Sequence, residues 1–109
     1  MNIFDAISAR RSIKSFTDRP ITNEEIEQLL SVAVLAPNHR MTEPWRFYVM
    51  GPEARAGFGN TLGLRKAKRV DEPDAKLAVI QKVEASHRDL PAMLAVATTL
   101  HENPEIREE

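Results

Sequence analysis

Residues 24–50 read "EEIEQLLSVAVLAPNHRMTEPWRFYVM", and their order decides what kind of fold the chain can form. The stretch opens as an amphipathic helix. Ile26, Leu29, Leu30 and Ala33 fall at i, i+3, i+4 and i+7, the spacing of one buried helical face. Just before it, Thr22 and Glu25 have capping-box form, in which each side chain satisfies a free backbone N–H at a helix start. The spacing predicts a helix from about Asn23 to Leu35, stopped by Pro37. "APNHRMTEPW" (36–45) has two prolines and no apolar period, which predicts a loop. "RFYVM" (46–50) is aromatic and β-branched and runs into Gly51-Pro52, a strand signal. A helix, a proline-bounded loop and then a strand make an α+β arrangement the expectation.

Upstream, Ile3, Phe4 and Ile7 recur at helical spacing and predict a short helix ending near Arg10 and Arg11, after which "SIKSF" (12–16) reads as extended. Downstream, residues 53–69 predict a helix weakened by Gly57, Gly59 and Gly63, each costing about 1 kcal/mol. A stronger helix is predicted from about Pro73 to Ser86, with Pro73 in its first turn and a face set by Leu77, Ile80 and Val83 or Glu84. "PAMLAVATTL" (91–100) is nearly continuously apolar, the pattern of a strand buried on both faces, or of a short buried helix. The acidic tail "HENPEIREE" reads as a frayed terminus. The sequence thus yields four helices against two or three strands, and two strands alone have little independent stability. A complete sheet would need more.

With 109 residues the chain has room for one modest core, so a single domain over 1–109 is expected. Lys and Arg number 15 against 16 Asp and Glu, so no global field favours nucleic acid or an anionic membrane. The absence of cysteine excludes disulfides, thiolate metal sites and cysteine nucleophiles, and suits a reducing compartment. "MNIFDAISAR" carries an early acid and no long apolar run, so neither a signal peptide nor a membrane span is expected, and the cytoplasm is the expected location.

Local charge is another matter. "ARRSIKSF" (9–16) concentrates Arg10, Arg11 and Lys14 around Ser12. Guanidinium forks match phosphate oxygens, and the hydroxyl adds a donor. On an extended segment Ser12, Lys14 and Phe16 share one face, with Lys14 about 6 to 7 Å beyond Ser12. The alternative is that these charges cap a helix C-terminus and face water, where cations are favoured in any case. "LRKAKR" (64–69) is a second basic group, read as a solvated helix face. His87 and His101 have no partner at metal-ligand spacing, so no metal is expected, and no catalytic nucleophile or general base stands out.

"ARRSIKSF" followed by "EEIEQLLSVAVLAPNHRMTEPWRFYVM" resembles the N-terminal half of the nitroreductase family, and "PAMLAVATTL" resembles that family's next buried strand. The resemblance implies an α/β/α sandwich around a mainly antiparallel sheet, incomplete here because family members are near twice this length. It implies FMN as cofactor, NADH or NADPH as donor, and hydride transfer to nitroaromatic, quinone or similar small acceptors. Arg10 and Ser12, with Arg11 beside them, match the Arg-x-Ser unit that meets the flavin phosphate and ribityl chain, and Lys14 matches a lysine that in some branches contacts the pyrimidine side. Pro37, Asn38 and His39 match a loop (37–45) that reaches a flavin bound mainly by the other subunit of a homodimer. Glu43 departs from the glutamine frequent before the "PW" pair. The competing expectation is a non-catalytic fragment, or a flavin-binding or interaction module of the same fold. A nucleic-acid or lipid-binding module is disfavoured by neutrality and scarce aromatics.

Overall fold

Six elements make up the computed structural model, which describes residues 1–37 and 42–104. They run in the order α1 (Ile3–Ala9), α2 (Asn23–Ala33), β1 (Trp45–Val49), α3 (Pro52–Ala67), α4 (Pro73–Arg88) and β2 (Leu94–Thr98). The fold class is α+β, as the sequence led us to expect. No helix among the described residues is long and apolar enough to cross a membrane.

The helix starts follow from local chemistry. Asn2 accepts from the Asp5 N–H while Asp5 reaches back to the Asn2 N–H, and Thr22 and Glu25 form the same reciprocal pair at α2. The second box is the one the sequence signalled; the first is an addition. Pro52 and Pro73 occupy first-turn positions of α3 and α4, where a missing N–H costs nothing. Glu72 caps α4 by accepting from the N–H groups of Asp74 and Ala75. α2 ends at Ala33, four residues before Pro37, in tight turns where the Leu35 and Ala36 N–H groups bond to the Val32 and Ala33 carbonyls.

β1 and β2 pair antiparallel, with Trp45 opposite Thr98, Phe47 opposite Val96 and Val49 opposite Leu94. The Met50 N–H donates to the Met93 carbonyl and the Thr99 N–H to the Pro44 carbonyl, so the ladder extends past both ends. Trp45 and Phe47 are half-buried on one face while Arg46 and Tyr48 point outward.

The tightest packing lies between α3 and α4. Gly59, Gly63 and Ala67 are its buried positions on α3, facing Val83 and Ile80 on α4. The glycines that weaken α3 as an isolated helix are therefore the residues that let it approach its neighbour. A β-carbon at Gly59 would stand 2.8 Å from the Glu84 Cα and 2.9 Å from the Val83 carbonyl oxygen. Asn60 donates to the Glu84 carboxylate at 2.9 Å, and His87 donates its Nδ1 proton to the Val83 carbonyl at 2.8 Å with its ring tilted against Phe58. His87 is thus a packing residue of the hairpin.

Three expectations about burial require correction, the first being α4, where Leu77 is 54% exposed and Ile80 and Val83 are the residues packed against α3. On α2, Ile26 is buried at 7% exposure, but Leu29 is 60% exposed and Ala33 is exposed. The reason is that, among the described residues, the element pairs in contact are α3 with α4 and β1 with β2 alone. β2 is likewise not buried on both faces: Val96 is 62% exposed, and Ala97 and Thr98 are exposed. A two-stranded sheet with no covering layer leaves one side of each strand to solvent. Total accessible area is 9267 Å², where a compact monomer of 12.3 kDa would expose about 6,100 Å². Large apolar faces therefore stand open.

Candidate functional site

The arginine pair follows directly on α1, whose C-cap is Arg10. The two guanidinium groups have different surroundings. Arg11 donates from Nη1 to the carbonyls of Ser8 and Arg10, at 2.9 and 2.8 Å, and so caps the helix end. Arg10 Nη1 lies 3.5 Å from Ser12 Oγ, at the outer edge of hydrogen bonding, which places a guanidinium beside a hydroxyl. Both arginines are exposed, and the segment carrying Ser12 to Phe16 belongs to no regular element.

Lys14 and Phe16 line one concavity of about 250 Å³, as residues two apart on one face should. Its other wall comes from the far end of α4 and the turn that follows: Ser86, Asp89, Leu90 and Pro91. Arg55 helps to position this wall. Its Nε and Nη2 donate to the Arg88 carbonyl at 3.1 and 3.0 Å, and its Nη1 donates to the Met50 carbonyl at 3.1 Å. The end of β1 and the end of α4 are thereby tied to one guanidinium fork.

Lys14 places an ammonium in this concavity, and Asp18 and Asp89 both contribute carboxylates to its lining. The Asp89 carboxyl is held below the usual aspartate range by its hydrogen bond from Arg88, with Arg88 and Arg55 also attracting it through space. The Arg88 guanidinium in turn is pushed up by that same contact. Asp89 is therefore ionised at neutral pH and largely answered by Arg88, while Lys14 shares the concavity with the Asp18 carboxylate.

Of the other residues singled out in the sequence, Pro37 is exposed just past α2, while Asn38 and His39 lie outside the described residues. Glu43 takes a positive φ of 45° and points to solvent. Ser86 and Asp89 were missed, because no local pattern marks them. They reach Lys14 only through the return of the α3–α4 hairpin across more than seventy residues of chain.

At about 250 Å³ the Lys14 concavity is smaller than a ligand site of the usual 300–1,000 Å³. By chemistry, a guanidinium beside a hydroxyl suits a phosphate, and an ammonium beside Phe16, Leu90 and Pro91 suits the polar edge of a flat ring.

Comparison with known proteins bears on the same residues. A family model, the nitroreductase family, matches residues 7–108. The chain is 35% identical over 106 residues to YfhC of Bacillus subtilis (strain 168), which carries the name of an NAD(P)H nitroreductase; the match covers 96% of this chain and 54% of that protein. It is 32% identical over 75 residues to a 4-nitrobenzoate reductase of Pseudomonas putida, covering 68% of this chain and 33% of the relative. In structure it is similar to a nitroreductase-like family protein from Bacillus cereus, with a TM-score of 0.71 at 23% identity over 100% of this chain and 56% of that one. The chain thus spans about half the length of these relatives, and its helices and two strands have the nitroreductase-like fold in part. With the matched region running from α1 through β2, the chain belongs to the nitroreductase family.

Proposed function

We propose that this chain carries the phosphate end and one wall of the flavin site of an FMN-dependent oxidoreductase. The reaction is hydride transfer from NADH or NADPH to nitroaromatic, quinone or similar small acceptors. The observation that carries the reading is the meeting of Lys14 and Phe16 with the end of α4, next to the Arg10–Ser12 pair, in a chain of this family. The names of the relatives support the donor and the nitroaromatic class of acceptor.

When bound, FMN supplies the ring system that accepts and releases hydride. The protein's own contribution is binding, orientation and charge. Arg10 and Ser12 offer donors for a phosphate, and Arg11 keeps its remaining N–H groups outward while it caps α1. Lys14 would hold the polar edge of the ring, where its ammonium favours negative charge over a neutral ring. Phe16, Leu90 and Pro91 give an apolar surface that excludes water. No side chain is required as nucleophile or general base. Pro37, Asn38 and His39 are assigned to a second copy's flavin, with residues 37–45 shared across a homodimer, and the open apolar faces of α2 and the sheet give such a dimer surface to bury. A cysteine-free chain of this kind suits the reducing cytoplasm.

A second reading is a flavin-binding or interaction module without turnover, favoured by the small volume of the Lys14 concavity and the extent of open surface. Absorbance separates the two. Purified chain mixed with FMN should retain a yellow, spectrally shifted flavin after gel filtration, eluting as a dimer, and the bands should bleach under NADH or NADPH and return on adding 4-nitrobenzoate. Retained flavin that neither nucleotide bleaches selects the module reading. A colourless, cooperatively folded monomer defeats both.

A further inference from the structure

The described arginines divide into two groups. Arg10, Arg11, Arg19, Arg46, Arg55 and Arg88 each donate to a carbonyl, hydroxyl or carboxylate of the chain. The side chains of Arg65 and Arg69 make no hydrogen bond and no ion pair to any described residue. They lie with Lys66 and Leu62 on one helical face, at the i, i+3, i+4 and i+7 positions, and the four side chains line a concavity of about 470 Å³. No carboxylate contributes to its lining.

The helix macrodipole favours cations in the last turn of α3 and accounts for the sign of Arg65 and Lys66 there. It does not account for Arg69, which lies beyond the helix end and is held over the same face by its N–H bond to the Lys66 carbonyl. Like charges four apart repel, so Arg65 and Arg69 destabilise the free chain slightly. The nearest carboxylate in sequence that could relieve them with a long side chain, Glu72, is turned away to cap α4. Two unengaged forks, an ammonium and an apolar floor around one hollow form a recognition pattern for the oxygens of a phosphate.

We propose that this face of α3 is a docking site for a small phosphorylated anion, with Arg65 and Arg69 as its forks, Lys66 as an added charge and Leu62 as its floor. It lies apart from the Lys14 concavity. Ten residues of helix, about 15 Å of axis, separate Arg65 from Arg55, which touches the opposite end of α4. The acidic residues Asp71 and Asp74 just beyond the patch disfavour a long polyanion such as nucleic acid.

Calorimetric titration of inorganic pyrophosphate into the 109-residue chain at low ionic strength tests the site. Saturable binding is expected, weakened by about tenfold or more in R65Q/R69Q and unchanged in K82Q, an exposed lysine of α4. Circular dichroism should show the same helix content in all three proteins, since neither guanidinium bonds to another described residue and the Arg69 backbone N–H bond survives the substitution. Parallel titrations with NADPH and NADH, which differ by one phosphate, identify the source. Selective loss of NADPH affinity in R65Q/R69Q assigns the phosphate to the dinucleotide; loss of pyrophosphate affinity alone assigns it to a separate phosphorylated molecule; either supports the site. The proposal is overturned if pyrophosphate does not saturate, if K82Q weakens it as much as R65Q/R69Q, or if random oligonucleotides bind this face more tightly than pyrophosphate. None of these titrations needs flavin or turnover, so their failure and the failure of the oxidoreductase reading are separate results.

Discussion

A β-carbon on Gly63 would stand 2.8 Å from the Ile80 Cα and 3.0 Å from the Ile80 carbonyl oxygen, so the missing side chain at 63 sets the separation of α3 and α4. Both atoms met are backbone and cannot swing aside. Gly63→Ala should therefore destabilise the hairpin by about 1 to 3 kcal/mol through forced displacement, outweighing the gain in helix propensity of about 1 kcal/mol. Gly57, on the same helix, meets nothing within 4 Å. Gly57→Ala should stabilise α3 by about 0.5 to 1 kcal/mol. Denaturant melts of the two variants should move in opposite directions, and equal shifts would refute the close-packing account.

The α2 cap has a pH signature. Glu25 Oε2 accepts the Thr22 N–H at 2.9 Å and Oε1 accepts from Arg19 at 3.1 Å. The Thr22 contact first and the Arg19 contact second hold the Glu25 carboxyl below its ordinary 4.5. A carboxyl lowered in the folded state contributes stability that is complete above about 4.5 and is lost as pH falls through the folded value. The protection factors of the α2 amides, corrected for the intrinsic pH dependence of exchange, should accordingly fall on acidification in the parent chain, while Glu25→Gln should show that lower protection already at neutral pH. Thr22→Ala should weaken the helix by about 1 kcal/mol at every pH.

Arg55 gathers two chain ends. Arg55→Met removes its three hydrogen bonds to the Met50 and Arg88 carbonyls and should cost about 1 to 2 kcal/mol, read from a urea midpoint. Arg55→Lys should recover less than half of the loss, because an ammonium lacks the fork that spans both carbonyls.

The flavin reading makes its own demand on side chains. Lys14→Met and Arg10→Gln should each raise the FMN dissociation constant about tenfold, near 1.4 kcal/mol, by fluorescence quenching. Arg11→Gln should affect flavin affinity less and α1 helicity more, since its Nη1 is committed to the Ser8 and Arg10 carbonyls. The reverse ranking of Arg10 and Arg11 would place the phosphate elsewhere.

Sequence alone determined what depends on neighbours within a turn or two. Thr22 and Glu25 announce the start of α2, Pro52 and Pro73 sit where α3 and α4 begin, and the aromatic run gives β1 to within a residue. These are local hydrogen-bond and steric facts, fixed before the chain folds back on itself. The family, too, was legible, because "ARRSIKSF" and the loop before Trp45 keep their order and spacing. Tertiary structure decided the rest. Gly59 and Gly63 read as weaknesses until Ile80 and Val83 are seen against them, and Leu29 and Val96 read as core until it is clear that no described element covers them. Ser86 and Asp89 became neighbours of Lys14 only when the α3–α4 hairpin returned them. Burial and site assembly are properties of contacts between distant segments, and periodicity within one segment carries no information about which of its faces will find a partner.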